Sequence, residues 1–308
     1  MQHETRVAYG EMIQVLAKEN PNIVVLDADL SKSTKSAEVK KVAPERHFNA
    51  GIAECNMMGM AAGLAASDKV VFASTFAVFA TGRAFEIIRN SICYPALNVK
   101  ICATHAGLSV GEDGASHQAI EDISIMRSIP NMRVYCPCDY YETKAVIEHV
   151  AKTDGPCYVR MGRGKVDDLF DENTTFDVNK VRVVSEGRDI CLFATGLMVQ
   201  EAMKAKGFLA KEGIDVTVVN VTCIKPIDKE GILNIASKHK LCFALEEHNI
   251  IGGLYSAIAE VLVTNPVSRL LPIGVNDTFG ESGKMLDVLN KYGLCADNIV
   301  KVVKENIK

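Results

Sequence analysis

The chain has 308 residues, with 34 basic and 38 acidic side chains and a net charge of −4. This length is sufficient for two domains with separate cores. The charges are scattered and nearly balanced, which argues against binding to nucleic acid or to an anionic membrane. The first ten residues lack the apolar core of a signal peptide, and the longest apolar run, residues 70–80, is too short to cross a bilayer.

Ten cysteines are present, but they do not form paired CxxC motifs. Several lie in apolar, strand-like runs, where a free cysteine acts as a small core residue. The single Cys136-Pro-Cys138 motif is weak evidence for a metal site. We therefore expect reduced thiols in a soluble, cytoplasmic protein. The cysteines in apolar runs are Cys102, Cys191, Cys223 and Cys242.

Short apolar runs alternate with helical patterns in the first half of the chain. The first pattern predicts a helix over residues 6–19, which Asn20-Pro21 ends. Repeated alternation of this kind predicts an α/β domain with a parallel sheet covered on both faces. Ligands of such sheets bind beyond the carboxyl ends of the strands. Further strands are predicted over residues 22–29, 70–74, 99–104, 133–136 and 157–160, and helices over 82–91, 119–127 and 141–152.

Polar and charged residues then predominate between residues 162 and 187. We interpret residues 164–187 as a surface linker between a first domain, 1–163, and a second, 188–308. A second alternation follows the linker and predicts a smaller α/β domain. Its strands are predicted over residues 190–194, 216–221 and 241–245, and its helices over 199–211, 228–237 and 253–263.

Glu54 lies among small and apolar residues, at the start of a predicted helix rich in alanine, glycine and methionine. Burial raises the pKa of a lone carboxyl group, which can then share or donate a proton near neutral pH. The alternative is an exposed glutamate in the first helical turn, stabilised by the helix dipole. The segment itself leaves both interpretations open.

Polar or aromatic side chains follow two of the predicted strands. Asp29, Leu30 and Ser33 follow the first strand, where a serine cap on a helix is the alternative to a ligand contact. Phe76 and Phe79 follow the strand at 70–74. Two phenylalanines three residues apart are common in protein cores, but near a strand end they also line pockets.

The segment 104–118 contains two histidines, two adjacent acids and three glycines between a strand and a helix. Glycines let the backbone approach a ligand closely, and histidine suits proton transfer near neutral pH. His105, Asp113 and His117 do not have a standard metal-ligand spacing, and turn hydrogen bonds remain an alternative role for the histidines.

Arg160 ends a predicted strand, close to Gly162 and Gly164. A guanidinium there could bind a phosphate as a bidentate donor, or form a surface salt bridge. The sequence contains neither a Walker loop nor a GxGxxG motif that opens a helix after a strand. The usual modes of nucleotide binding are therefore not supported.

Nearly the whole chain resembles the C-terminal half of transketolase, which comprises a pyrimidine-binding domain and a C-terminal domain. The motifs Gly111-Glu-Asp-Gly-Ala-Ser-His-Gln118 and Gly51-Ile-Ala-Glu54 support this resemblance. It implies thiamine diphosphate as cofactor, held between two subunits. The Gly-Asp-Gly motif of the diphosphate-binding domain is absent from these residues. The resemblance thus implies one subunit of a split transketolase, whose N-terminal partner subunit would bind the diphosphate and Mg²⁺ or another divalent cation.

The resemblance also implies roles for cofactor-binding residues. Glu54 would hydrogen-bond a ring nitrogen of the cofactor's pyrimidine and so activate the cofactor. Phe76 and Phe79 match the family's aromatic shelf for the pyrimidine, and Asp29 with Leu30 matches a nearby loop. Gly82 stands where the family often has a tyrosine, so that contact is lost or supplied by another residue.

The implied reaction is reversible transfer of a two-carbon ketol unit from a ketose phosphate to an aldose phosphate, as in the pentose phosphate pathway. The resemblance places His105, Asp113 and His117 at the sugar hydroxyls, with His117 near the reacting carbon. It assigns the sugar phosphate to a second set of residues and implies a dimer of this chain within a heterotetramer. The phosphate set is Arg6, Ser33 and Arg160.

Other interpretations remain open. The beta chain of a thiamine-dependent 2-oxo acid dehydrogenase has the same pair of domains, and deoxyxylulose phosphate synthase contains them within one long chain. The histidine-containing segment and the basic residues favour sugar phosphates over 2-oxo acids. A non-catalytic binding module could also have kept the fold.

Overall fold

The computed structural model describes residues 1–307. In that range the strands are β1 (Gln2–Glu4), β2 (Ile23–Asp27), β3 (His47–Asn49), β4 (Val70–Ser74), β5 (Val99–Ala103), β6 (Arg133–Tyr135), β7 (Cys157–Arg160), β8 (Lys165–Asp167), β9 (Arg182–Ser185), β10 (Ile190–Ala194), β11 (Val216–Asn220), β12 (Cys223–Lys225), β13 (Leu241–Asn249) and β14 (Arg269–Val275). The helices are α1 (Thr5–Glu19), α2 (Ser31–Thr34), α3 (Glu54–Ala65), α4 (Phe85–Ile87), α5 (Asp122–Ser128), α6 (Tyr140–Lys152), α7 (Met198–Lys211), α8 (Lys229–Ala236), α9 (Leu254–Thr264), α10 (Met285–Lys291) and α11 (Ala296–Asn306).

The first sheet has seven strands in the order β12-β6-β7-β5-β4-β2-β3. The six strands from the first half of the chain are parallel, and β12 joins β6 antiparallel. Strands such as β2 are buried along their whole length because helices cover both faces of the sheet. On one face Tyr9 of α1 and Val146 of α6 pack in a common core. On the other face Met57 of α3 and Ile123 of α5 do the same.

The second sheet has five strands in the order β14-β13-β10-β11-β9. Four of them are parallel, and β9 pairs antiparallel with β11. One face packs against residues of α7 and α11, including Leu209 and Ile299. The other face packs against α8 and α9 through Ile232 and Ile258. The fold class predicted from the sequence, two α/β units with parallel strands, is confirmed.

The segment predicted as a linker, 164–187, contains strands. β8 pairs antiparallel with β1, and β9 lies at the edge of the second sheet. Both are short and half-exposed, so their sequences lack the apolar runs that identify a buried strand. In addition, β12 comes from the second half of the chain but completes the first sheet. The two sheets are therefore connected by more than one crossing of the chain.

The helix predicted over residues 82–91 is irregular. The short α4 lies between two π-helical turns, Phe79–Arg83 and Ile88–Cys93. A π turn contains an extra residue and changes the direction of the side chains that follow, and such turns are frequent at functional sites. Arg83 is the last residue of the first turn.

The carboxyl ends of the parallel strands meet at one edge of the first sheet. Asp27, the last residue of β2, lies opposite Asn49 of β3 and Ser74 of β4. The loops after these strands, and those after β5 and β7, therefore converge at this edge. Within residues 1–307, every helix is too short or too polar to span a membrane.

Candidate active site

Glu54 is the first residue of α3, and its side chain is 2% exposed. Arg83 donates from Nη1 to both carboxylate oxygens of Glu54, at 2.9 and 2.8 Å. Of the two interpretations that the sequence left open, the structure agrees with the buried carboxyl group, but this group is not a lone one. The buried acid is paired with an arginine that is itself 51% exposed.

Two phenylalanines lie next to this ion pair. The rings of Phe76 and Phe79 stack with their centroids 5.9 Å apart and an interplanar angle of 17°. The guanidinium carbon of Arg83 lies 4.8 Å from the centroid of the Phe79 ring, a cation–π contact. Arg83 thus brings the carboxylate of Glu54 beside the aromatic pair.

Both histidines of segment 104–118 contact the same two rings. The imidazole of His105 stacks on Phe76 with centroids 3.8 Å apart, and His117 approaches Phe79 edge-on at 5.3 Å. His105 has a φ of +57°, a left-handed conformation that non-glycine residues seldom adopt. Strained backbone of this kind is concentrated at active sites. The structure therefore brings together Glu54, the aromatic pair and both histidines.

Burial, with smaller contributions from Arg6, Arg163 and His117, lowers the pKa of His105 to about 3. His105 is therefore neutral at physiological pH and acts as a hydrogen-bonding group, with Nδ1 2.8 Å from the hydroxyl of Thr104. His117 is half-buried, and its Nδ1 lies 2.9 Å from the hydroxyl of Ser116. Asp113 is exposed near the tip of the same segment.

Asp29 and Leu30 lie at the same edge of the sheet, in the loop after β2. The buried carboxylate of Asp27 accepts a hydrogen bond of 2.8 Å from the Leu30 amide. Asp29 has a φ of +63°, and its carboxylate accepts a 3.0 Å hydrogen bond from the side-chain amide of Asn49. The loop is fixed from beneath by Asp27, a residue that the sequence analysis did not select.

Arg6 and Ser33 also lie together, since Nη1 of Arg6 donates to the carbonyl of Ser33 at 2.8 Å. Arg6 lines a groove of about 310 Å³ together with Arg163 and Lys284. Glu4 and Glu112 lie at the same groove and pair with Arg6 and Arg163. Three cationic side chains therefore line the groove, and two of them are paired with glutamates.

Arg160 does not lie in this groove. Its Nε donates to Asp122 at 2.8 Å and its Nη2 to the carbonyl of Glu247 at 2.9 Å, and the residue is 5% exposed. This buried ion pair holds the guanidinium within the protein. The prediction that Arg160 contacts the phosphate is corrected accordingly. Arg160 is still part of β7, whereas Arg163 lies beyond the strand end and reaches the groove.

The sequence analysis thus missed Arg83 and Arg163. Arg83 follows Phe79 by four residues, which would place the two side chains on one face of a regular helix. Arg163 stands between Gly162 and Gly164, immediately after a predicted strand. Basic residues just past a strand end are therefore better candidates for ligand contacts than a basic residue within the strand.

The residues present suit the pyrimidine end of thiamine diphosphate. A stacked aromatic pair and a buried carboxylate are the groups that a flat, nitrogen-containing ring requires. Among residues 1–307 no group of three or more histidine, cysteine, aspartate or glutamate side chains is arranged to hold a metal ion.

Comparison with known proteins agrees with this geometry. Residues 1–167 match the transketolase pyrimidine-binding domain, and residues 179–299 match the transketolase C-terminal domain. A Methanocaldococcus jannaschii protein described as a transketolase C-terminal section is 52% identical over 307 residues, covering 98% of this chain and 96% of that protein. The transketolase of Rattus norvegicus is 36% identical, over 97% of this chain and 48% of that protein.

A solved structure of a split-gene transketolase, described as an inactive beta4 tetramer, superposes with a TM-score of 0.91 at 50% identity. The match covers 99% of this chain and 98% of that one. Fold and site together are those of a pyrimidine-binding α/β domain followed by a smaller α/β domain. The chain belongs to the transketolase family and corresponds to its C-terminal half.

Proposed function

We propose that this chain is the C-terminal subunit of a thiamine diphosphate-dependent transketolase that is active with a separate N-terminal subunit. The enzyme would reversibly transfer a two-carbon ketol unit from a ketose phosphate to an aldose phosphate. The observation that carries the proposal is the arrangement of Glu54 and two histidines around the stacked pair of Phe76 and Phe79.

Phe76 and Phe79 would pack against the aminopyrimidine of the cofactor, with Asp29 and Leu30 near it. Glu54 would share a proton with a ring nitrogen of the pyrimidine. When bound, thiamine diphosphate supplies the nucleophilic carbon and the electron sink that the transfer of a ketol unit requires. In this proposal the partner subunit binds the diphosphate and its divalent cation.

The remaining polar residues would bind the sugar phosphate. In its neutral form, His105 would form a hydrogen bond with one substrate hydroxyl. Asp113 would bind a second hydroxyl. His117, beside the ring of Phe79, would exchange a proton at the reacting carbon.

Arg6 and Arg163 would hold the phosphate in the groove that they line, with Ser33 beside Arg6. A guanidinium binds a phosphate through two parallel hydrogen bonds, which fixes the orientation of the group as well as its position. Such remote binding holds the reacting end of the sugar in place.

Several observations support an assembly in which two copies of this chain combine with two N-terminal subunits. The family member from rat is about twice as long as the matched region, whereas the archaeal relative has nearly the length of this chain. Large apolar side chains are exposed in the first domain, with Ile52, two residues before Glu54, at 79% and Tyr94 at 87%. Exposed apolar groups of this size are typical of interfaces.

We further propose a role in the pentose phosphate pathway and a cytoplasmic location. The ten cysteines are free, and eight of them are buried. Reduced thiols are usual in a reducing compartment.

The test is reconstitution with a transketolase N-terminal subunit, followed by an assay of ketol transfer from xylulose 5-phosphate to an aldose phosphate. We expect activity from the mixture and none from either subunit by itself. Activity with a 2-oxo acid instead of a ketose phosphate would identify a dehydrogenase beta chain and refute the proposal. An assembled complex that binds thiamine diphosphate but lacks activity with any substrate would indicate a binding module.

A further inference from the structure

The segment 107–118, which includes Asp113 and His117, packs against the second sheet's loops. Gly107 has a φ of +79°, and a Cβ atom there would collide with the carboxyl group of Glu247. Glycine is therefore required at this position for two reasons, the backbone conformation and the close approach of a side chain. Glu247 belongs to β13, more than 130 residues away along the chain.

The carboxylate of Glu247 accepts a hydrogen bond from the backbone amide of Ser109. Glu247 is buried, and burial raises the pKa of its carboxyl group, an effect that Arg160 opposes. A buried carboxylate is costly to the folded state unless it is hydrogen-bonded. The charge of Arg160 offsets part of this cost, and the hydrogen bond from the Ser109 amide, in the histidine-containing segment, offsets a further part.

Glu247 is itself held in place. Its carbonyl accepts the 2.9 Å hydrogen bond from Nη2 of Arg160, whose Nε donates to Asp122 at 2.8 Å. The hydroxyl of Tyr158, in β7, donates to the same oxygen of Asp122 at 2.6 Å. A continuous set of buried hydrogen bonds thus connects β13 of the second sheet with β7 of the first.

The other end of the segment is fixed by the same part of the chain. The side-chain amide of Gln118 donates to the carbonyl of Glu281 at 3.0 Å, and also to Leu108 and Gly111. The amide of Asn249 donates to the carbonyl of Ile120 at 2.7 Å. Residues of the second sheet and its loops therefore hold the segment at both ends, between His105 and the helix α5.

We infer that Glu247 is a positioning residue for the reaction, which acts by fixing the backbone that carries His117 and Asp113. The second sheet thereby sets the geometry of the substrate-binding residues, although it contributes no group to the pyrimidine site. The inference rests on the proposed function for its effect on turnover. Its structural part, the dependence of the segment's order on Glu247, is independent of that function.

The test compares two neighbouring buried glutamates. Glu247→Ala removes the acceptor for Ser109, whereas Glu247→Gln keeps an acceptor oxygen in nearly the same volume. Glu246→Ala is the matched control, because Glu246 accepts from the amides of Leu254 and Tyr255 in α9 and does not contact the segment. All are measured in the reconstituted enzyme.

We expect Glu247→Ala to lower kcat about tenfold or more, since small displacements of reacting groups have effects of this size. The Kd for thiamine diphosphate should stay within about twofold of the wild-type value, and Glu247→Gln should recover most of the lost kcat. Glu246→Ala should lower the unfolding temperature but leave kcat nearly unchanged. Equal losses of kcat in both alanine variants would overturn the inference, because they would reflect instability alone.

Amide hydrogen exchange of the isolated chain provides a readout that does not depend on activity. In Glu247→Ala we expect faster exchange at Ser109 and its neighbours in segment 107–118, with α9 unaffected. In Glu246→Ala we expect the reverse pattern. Unchanged exchange in segment 107–118 of the Glu247→Ala chain would refute the inference. If exchange changes as expected but the wild-type assembly lacks ketol transfer, the proposed function has failed and the positioning of the segment by Glu247 stands.

Discussion

Nη1 of Arg83 lies 2.9 and 2.8 Å from the two carboxylate oxygens of Glu54. Both oxygens are directed to one donor. A ring nitrogen of the pyrimidine needs at least one of these oxygens. Under the proposed function the cofactor would therefore share the carboxylate of Glu54 with Arg83, which weakens the hydrogen bond that each can form.

We expect Arg83→Met to bind thiamine diphosphate more tightly in the reconstituted enzyme. Methionine keeps an apolar stem beside Phe79 but cannot donate to Glu54. Because Arg83 is 51% exposed, solvent screens its ion pair with the buried Glu54. We take the pair to be worth up to about 1 kcal/mol, which corresponds to a decrease in Kd of up to about fivefold. Calorimetric titration with thiamine diphosphate measures the effect. In a Glu54→Gln background the same substitution should change Kd little. If Arg83→Met instead raises Kd in the wild-type background, Arg83 holds Glu54 in position for the cofactor.

Glu54→Gln should lower turnover by at least about 100-fold, because the amide cannot exchange a proton with the ring nitrogen. The unfolding temperature should stay close to the wild-type value, since glutamine can still accept a hydrogen bond from Arg83. The measurement is kcat for ketol transfer in the reconstituted enzyme. Glu19→Gln, at an exposed site at the end of α1, is the matched control. A near-normal kcat would remove Glu54 from the mechanism.

Arg163→Ala should raise KM for a phosphorylated ketose about tenfold or more, with a smaller effect on kcat. Hydrogen bonds to a charged group contribute about 1.5–3 kcal/mol, and this contribution would be lost from the phosphate. Steady-state kinetics with xylulose 5-phosphate measure the change, and Arg188→Ala, at an exposed arginine between β9 and β10, is the control. If KM is unchanged, the groove does not bind the phosphate.

Arg160→Ala should act differently, through stability. It would leave the carboxylate of Asp122 buried without its cationic partner. Removal of one member of a buried pair costs about 3–5 kcal/mol. Urea unfolding of the isolated chain measures the loss, and a variant as stable as the wild type would contradict the structural role assigned to this ion pair.

Glu246→Gln should change the pH dependence of stability. Burial, opposed by the amides of Tyr255 and Leu254, raises the pKa of Glu246 to about 7 in the folded chain. An unfolded chain loses this proton near pH 4.3, roughly the ordinary value for glutamate. Between these two pH values the folded chain binds the extra proton, so the free energy of unfolding falls as pH rises through the window. Glutamine does not titrate, so in the variant this side chain does not lower the free energy of unfolding as pH rises.

The variant should therefore gain about 3 kcal/mol of stability relative to the wild type between pH 4.5 and 7.5, at about 1.36 kcal/mol for each unit of pKa shift. Urea unfolding at several pH values measures the difference. Glu305→Gln, at an exposed site in α11, controls for the substitution itself. A stability difference that does not vary with pH would contradict the raised pKa of Glu246.

Much of the fold could be predicted because buried parallel strands have continuous apolar sequences. The predictions at residues 70–74, 157–160 and 190–194 agree with β4, β7 and β10 to the residue. The strands β8 and β9 were missed because they are short, half-exposed and polar. β8 pairs with β1 and β9 pairs with β11. Because these partners are distant in sequence, no local sequence pattern indicates the pairing.

The features of the site can also be separated into those that the sequence predicted and those that only the structure showed. The sequence by itself determined the fold class and indicated Asp29, Phe76 and His105, because each lies two residues after a buried strand. Only the tertiary structure decided the partners of each charge: Glu54 with Arg83, Arg160 with Asp122, and Glu247 with the amide of Ser109. The physical reason is that a buried charge requires a partner, and packing between distant elements determines which group supplies it.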